Sequence, residues 1–531
     1  MKTRIILISV AVLITFSLKA QEFQQLNVSP LSSIYFNSYP TEFNGKLYFS
    51  NGEELWVTDG SQQGTFLLKD INPTGNSKPN LLTPYQGKLY FMAEEDIYGT
   101  ELWVTDGTQD GTNIFLDLMP GPNGIGVSGD IKVCNDKMYI RAVYSGYGLE
   151  PWISDGTEEG THIIKDINPG LGSSYISVFT EYNEKMYFSA TADDINSDYE
   201  LWVTDGTEIG TYMLKNINSL FDSNPIKFTV YNNKLYFSAI SDNDGYELWV
   251  TDGTELGTQM VKNINSVSGS VAGNTGFTVY NGKLYFQAND GISGTELWVT
   301  DGTEIGTQMV KDINTLGNSS PSEFTVYNDK LYFQANDGIN GSELWVTDGT
   351  EIGTQMIKDI NPNGDSILRY FIVYNNKLYF SADDGTNGFE LWETDGTTEG
   401  THKLVPNVAT NSNPLGFSPE FKVFQDDLYF FANYNSQGRE LWKLTTENLK
   451  TNIEEKDIFR FYPNPVQNVL NILSQEVIYN VTIYDLSGKM VYQNSFEQKQ
   501  INLNTQNLRQ GLYIVKIATD SQVKTIKINK S

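Results

Sequence analysis

The chain is poor in the residues that most often carry chemistry. Its 531 residues include one cysteine and two histidines. A single cysteine, Cys134, excludes an internal disulfide, so the fold must rest on its core. Cys134 lies in VCNDKMYI where other copies of the same stretch have Tyr, which reads as a small buried residue rather than a reactive thiol. His162 and His402 fall at the same place in two distant copies and show no zinc spacing. There is no HExxH, GxSxG or phosphate loop. Basic residues are scarce as well: 36 Lys and Arg stand against 65 Asp and Glu, a net charge of −29. Such a surface repels nucleic-acid phosphates and anionic membranes. Beyond the first 20 residues no apolar run is long enough to cross a bilayer. Helical periodicity is nearly absent.

What the chain does have is repetition. Phe277 to Asn314, FTVYNGKLYFQANDGISGTELWVTDGTEIGTQMVKDIN, returns almost unchanged as Phe324 to Asn361. Looser copies run in both directions. All nine tryptophans fall in register, at Trp56, Trp103, Trp152, Trp202, Trp249, Trp298, Trp345, Trp392 and Trp442, with gaps of 47 to 50 residues. A glutamate stands two positions before each. A fixed period of this length marks a stacked or radial repeat.

Each unit reads as four short strands. FTVY and KLYFQA are joined by Asn281-Gly282, a dipeptide suited to a tight hairpin. An Asn/Asp/Gly loop leads to ELWVTD, and Asp301-Gly302-Thr303 turns the chain into TQMVKDI. Leu284 and Phe286 point to one side of the sheet and Tyr285 to the other, so both faces should be covered. Four strands in roughly 50 residues, packed face to face, predict an all-β fold: a large β-propeller of eight to nine four-stranded blades. The ninth unit lacks its fourth strand. Phe23 to Ser33 resembles the missing one, which predicts a ring closed by an N-terminal strand and no open sheet edge.

The domain reading follows. Residues 1–20 carry Lys2 and Arg4, an apolar run from Ile5 to Phe16, and Ala20, the pattern of a secretory signal peptide. Residues 21–445 are the repeat array and 446–456 a polar linker. From 457 to 531 the pattern changes to alternating strands with Gly turns. The residues Tyr462-Pro463-Asn464-Pro465, Ile483-Tyr484-Asp485, Gly488-Lys489, Gly511-Leu512-Tyr513 and the basic end Lys524 to Lys530 resemble the type A C-terminal sorting domain of the type IX secretion system of Bacteroidetes. That resemblance implies a small immunoglobulin-like β-sandwich, recognition by the type IX secretion machinery, and a protein secreted or held at the outer cell surface. The repeats are similar to the ELWxxDGTxxGT repeats of secreted Bacteroidetes proteins, a resemblance that brings no activity with it.

The tryptophans, repeated at a strand centre, read as filling between blades. The DGT aspartates read as turn caps, and Lys283 should lie opposite Asp301 across a hairpin, a cross-strand ion pair repeated in eight units. The ninth unit loses both partners, carrying Asp427 and Thr445. Sugar-stacking aromatics belong in the variable loops: Tyr98, Tyr144, Tyr147, Tyr199, Tyr246 and Phe389. Asp242, Asp244, Asp290, Asp337 and Asp384 lie in loops that could offer oxygen ligands to calcium, although none has the full calcium-loop spacing.

Near-identical units do not gather unlike residues at one point, as catalysis requires. They do offer one weak site many times. The sequence therefore predicts a non-catalytic, monomeric, secreted or surface-attached protein that binds glycans or proteins. The alternatives are a secreted propeller enzyme acting on polysaccharide, a lyase or glycosidase, and a scaffold whose partner docks on one rim.

Overall fold

In the computed structural model, residues 19–26, 28, 39–122, 129, 131–144, 146–193, 198–242, 245–271, 275–406, 412–416, 418–435, 438–448, 459–462, 466–485, 489–519 and 523–530 are described. Among them there is no helix, and no helix is long and apolar enough to cross a membrane. The chain forms two compact units, Gln21–Thr446 and a second containing Glu447–Ser531.

The first unit is built of nine four-stranded antiparallel sheets, each from consecutive strands except the ninth. Blade 6 is typical, with strands Thr278–Tyr280, Lys283–Asn289, Thr295–Thr300 and Gln308–Lys311. Its second and third strands pair Phe286 with Trp298 and Leu284 with Thr300. Asn281 and Gly282 both have positive φ (46° and 67°), as the tight hairpin demands.

Blades stack through their faces. Leu284, Phe286, Ala288 and Trp298 of blade 6 pack with Tyr236, Leu248 and Val250 of blade 5. Tyr280, Tyr285, Leu297 and Val299 pack on the other side with Leu331, Phe333 and Trp345 of blade 7. The same arrangement recurs between every adjacent pair. Each tryptophan lies between its own blade and the one before it; Trp56, in blade 1, is the least covered. The apolar residues on both faces of the sequence unit are thus accounted for.

Polar bonds fix the spacing. The hydroxyl of Tyr280 donates to the carbonyl of Asp329 in the next blade at 2.7 Å, and Tyr231 and Tyr327 do the same one blade away on each side. Lys311 Nζ donates to the carbonyl of Thr354 in the next blade at 2.7 Å.

The ring closes. The ninth sheet takes Lys19–Gln25 as its fourth strand, beside Glu440–Asn448. The closing strand lies a few residues earlier than Phe23 to Ser33, the stretch its likeness to the MVKDINP strand had suggested. Leu26 still donates its N–H to Leu441 at 2.9 Å, and most of residues 27–38 lie outside the described residues. Leu26 and Val28 are buried with Leu47 and Phe49 of blade 1 and Phe424, Tyr429 and Phe431 of blade 9. Gln21 reaches blade 8, donating to Glu393 at 2.6 Å.

The second unit is a five-stranded sheet. Its long strand Val469–Asp485 pairs with Phe459–Tyr462, Met490–Asn504 and Gly511–Thr519, and Val523–Lys530 pairs with Gly511–Thr519. Register breaks along Val469–Asp485 bend it around a core of Val466, Leu470, Ile472, Val481, Ile483, Val515, Ile517 and Ile528.

Candidate functional site

The repeated polar residues have structural partners. In blade 6, Asp301 Oδ1 accepts the Thr303 N–H at 2.9 Å and its hydroxyl at 2.7 Å. Those bonds, more than Lys283, hold its carboxyl below the usual range. Among the described residues only Lys137 and Asp155, at 3.8 Å, approach as an ion pair at this position. The aspartate turns into its own loop, so elsewhere the lysine acts at longer range. Blade 9 carries a different pair, Lys443 with Asp427 at 3.2 Å.

The glutamate before Leu-Trp is buried and holds the loop leading to the next blade. Glu296 accepts the N–H groups of Ile313 (2.7 Å) and Ser319 (3.0 Å) and the Ser319 hydroxyl (2.6 Å). Glu200 makes the same bonds to Ile217 and Ser223, and burial pushes its carboxyl up to about 7.

The loop aspartates proposed for calcium are occupied likewise. Asp290 caps its own turn through the N–H groups of Ile292 and Ser293, and Asp337 does so through Ile339 and Asn340. Asp242 accepts from Ser219, and Asp384 from Thr386 and Lys403. Asp244 lies outside the described residues. Among the described residues no three His, Cys, Asp or Glu gather to hold a metal ion.

The loop aromatics are not brought to one place. Tyr144 and Tyr147 stack at 6.2 Å on blade 3, with Trp152 beside Tyr144 at 5.5 Å. Tyr199 packs on Tyr175 at 6.4 Å, Tyr246 accepts from Asn224, and Tyr98 stands alone on blade 2, 38% exposed. Phe389 corrects the expectation for it. Its ring is buried, 6% exposed, in the core between blades 8 and 9, with the Arg369 guanidinium over it at 5.6 Å, so it has no open face for a sugar.

Unlike residues do meet, but at the axis. The first strands of neighbouring blades approach one another, which places them innermost. Seven residues before the lysine of the KLYF-type strand, or Asp427 in the ninth unit, the residue varies between units: Tyr39, Leu81, Val178, Lys227, Gly276, Glu323, Tyr370 and Glu420 in blades 1, 2 and 4 to 9. Leu81, Lys227, Glu323 and Tyr370 sit in bulges where the inner strand slips register. These four and Glu420 all have φ between 53° and 62°, a left-handed region that such side chains rarely adopt. Bulges re-aim side chains, and here Glu323 and Tyr370 line a cavity while Lys227 reaches the Val271 carbonyl at 3.1 Å.

Four blades contribute to one cluster. Glu323 accepts the Tyr370 N–H at 3.1 Å. Tyr39, from the far side of the closure, is 58% exposed, and its phenol is raised by partial burial and then by Tyr370, Glu420 and Glu323. Glu420 is 4% exposed and pushed up to about 7 by burial, against the pull of Arg439. Arg439 lies over the Phe431 ring at 5.5 Å. Glu420 Oε2 and Arg439 Nε and Nη2 are enclosed without a hydrogen-bond partner. A cavity of about 530 Å³ opens beside this cluster, lined by the inner strands of blades 6, 7 and 8, among them Gly276, Phe277, Glu323, Phe324, Tyr370 and Phe371. A smaller one of about 240 Å³ lies against blades 1 to 3 at Tyr39, Leu81 and Lys132. The signal for this site was in the sequence: the start of the inner strand varies between copies that otherwise agree closely.

In the second unit, Tyr462 ends a strand, Asp485 Oδ1 accepts the Lys489 N–H at 3.1 Å, Gly511 opens a strand at φ 149°, and Tyr513 donates to the Arg509 carbonyl at 2.9 Å. Pro463, Asn464, Pro465 and Gly488 lie outside the described residues. Residues 460–531 match the family described as the secretion system C-terminal sorting domain. The tail is a type IX secretion sorting domain. With it the chain is addressed to the type IX secretion machinery and is secreted or displayed on the outer surface.

No curated protein matches the chain. Among solved structures it is similar to PorZ, a surface component of the type IX secretion system of Porphyromonas gingivalis, at 13% identity and TM-score 0.34 over 92% of this chain and 74% of that one. It is similar to a prolyl endopeptidase at 9% identity and TM-score 0.37, over 83% of this chain and 54% of that one. It is similar to a dihydro-haem d1 dehydrogenase at 11% identity and TM-score 0.38, over 72% and 77%. Likenesses this distant carry no chemistry across to this chain.

Proposed function

We propose that this is an exported, non-catalytic binding protein that holds a glycan or protein ligand at the centre of its propeller, with the sorting domain serving delivery. One observation carries the reading. Unlike inner-strand residues are brought together: Glu323 and Tyr370 line one cavity, and Glu420 of blade 9 and Tyr39 of blade 1 interact electrostatically with them, while the repeated Asp, Glu and Trp have structural roles. That favours a single central site over nine equal ones in the outer loops. The test is binding of the full chain to a glycan array and to surface proteins, with and without the changes Tyr39→Ala and Tyr370→Ala. The reading expects retention by the parent chain, loss in the variant and no product release; release of cleaved product would replace it with the polysaccharide enzyme.

A second reading, a scaffold gripped at one rim, is favoured by a separate feature. Ile209, Leu256, Ile305 and Ile352 cap the DGT loops of four successive blades and are 92–96% exposed. The equivalent residues elsewhere are Gln63, Asp110, Glu159 and Glu399. Replacing all four by Ser should abolish capture of a protein partner under that reading and leave glycan binding untouched under the first.

A further inference from the structure

Blade 6 differs from its neighbours at the axis by an omission. Where blades 5, 7, 8 and 9 place Lys227, Glu323, Tyr370 and Glu420, it has Gly276. The missing side chain is not required by the backbone, because Gly276 is not among the residues of positive φ. Nor is it required by packing, since a Cβ there would meet nothing within 4 Å. The space it leaves is continuous with the 530 Å³ cavity along Glu323 and Tyr370.

We infer that the notch at Gly276 takes one uncharged, hydroxyl-rich sugar unit, the end of a glycan chain, against Glu323 and Tyr370. This rests on the reading of the propeller's centre as the binding site. The cavity size falls within the range of small-molecule sites. Its wall alternates aromatic carbon with polar groups: Phe277, Phe324 and Phe371 offer carbon surface to a sugar ring, while Thr278, Thr325 and the Tyr370 phenol offer hydroxyls. Glu323 has an oxygen beyond the one that accepts from Tyr370, and that oxygen can accept from hydroxyls. The charges balance around the space. Arg369 acts on Glu323 and Arg439 acts on Glu420, so neither a cation nor an anion finds an unopposed partner. In blade 9, beside the same cluster, Glu420 is nine-tenths buried with an oxygen lacking a hydrogen-bond partner, and Arg439 has two such nitrogens. Buried polar atoms in that condition are costly unless something polar reaches them, and a ring bearing several hydroxyls presents donors and acceptors together.

The experiment is titration of the full chain with methyl glycosides of glucose, mannose, galactose and N-acetylglucosamine, followed by ligand-observed NMR. Glucuronate and lysine methyl ester serve as anionic and cationic probes. At least one neutral glycoside should bind, and Gly276→Phe and Glu323→Gln should each weaken it about tenfold or more. Gly276→Phe should melt as the parent chain does. Glu323→Gln keeps the test intact if the larger side chain upsets the fold. No binding of any neutral glycoside, a preference for either charged probe, or binding equal in both variants overturns the inference. If the glycan array is positive and these variants leave it unchanged, the notch falls while the binding function stands. If the array and protein panels are both blank, the wider reading falls with it.

Discussion

The buried glutamates make the ring's stability depend on pH in a direction opposite to that of most paired carboxylates. Glu200 is fully buried, accepts from Ile217, Asn218 and Ser223, and is raised from 4.5 to about 7, chiefly by burial. Between those two values the folded chain binds a proton that the unfolded chain has released. Stability from this group is therefore greatest in acid and falls as pH rises through about 7. Integrating from about pH 5.5 to about pH 8 gives a loss of about 2 kcal/mol for this one carboxyl. Glu200→Gln has nearly the same shape and no proton to lose. Urea unfolding followed by tryptophan fluorescence at the two pH values should show the variant losing about 2 kcal/mol less than the parent chain between them. The reference must be the parent, because Glu101, Glu150 and Glu343 are also pushed up to about 7 and its other acidic groups titrate too. Equal pH dependence in both proteins would mean that the carboxyl is not desolvated, and that the loop it holds is open to water.

Tyr280→Phe removes one hydroxyl bridge between blades 6 and 7 and should cost about 1 kcal/mol in urea unfolding, with the ring otherwise intact. Asp301→Ala should lower stability by about 1 kcal/mol through loss of its turn bonds, Asp301→Asn by less, and neither should change ligand binding in an equilibrium titration. Leu26→Asp places a charge in the fully buried closing seam and should turn a sharp thermal transition into a broad, aggregating one by light scattering. Cys134 is buried with its thiol pushed up to about 11, so a thiol reagent should label it only after unfolding.

Much of this molecule is written locally. The period, the strand boundaries, the Asn-Gly hairpin and the apolar residues on both faces of KLYF are properties of each unit and its neighbour. A stretch of about 50 residues is enough to specify them. The tail is legible for the same reason, as short motifs at fixed spacing. The cross-strand Lys283–Asp301 pair was reasonable from register, yet the aspartate oxygen has a nearer donor in its own turn. Phe389 followed the loop pattern, but the adjoining sheet covers it.

The repeat determined that the chain would be all-β and bladed, and the tail that it would be exported. Only the closed ring brought unlike residues of different units together. Glu323, Tyr370 and Glu420 come from three successive blades and Tyr39 from the far end of the array, and nothing in any single unit marks them as neighbours. They meet because nine sheets share one axis, where the innermost strands face each other whatever their distance along the chain.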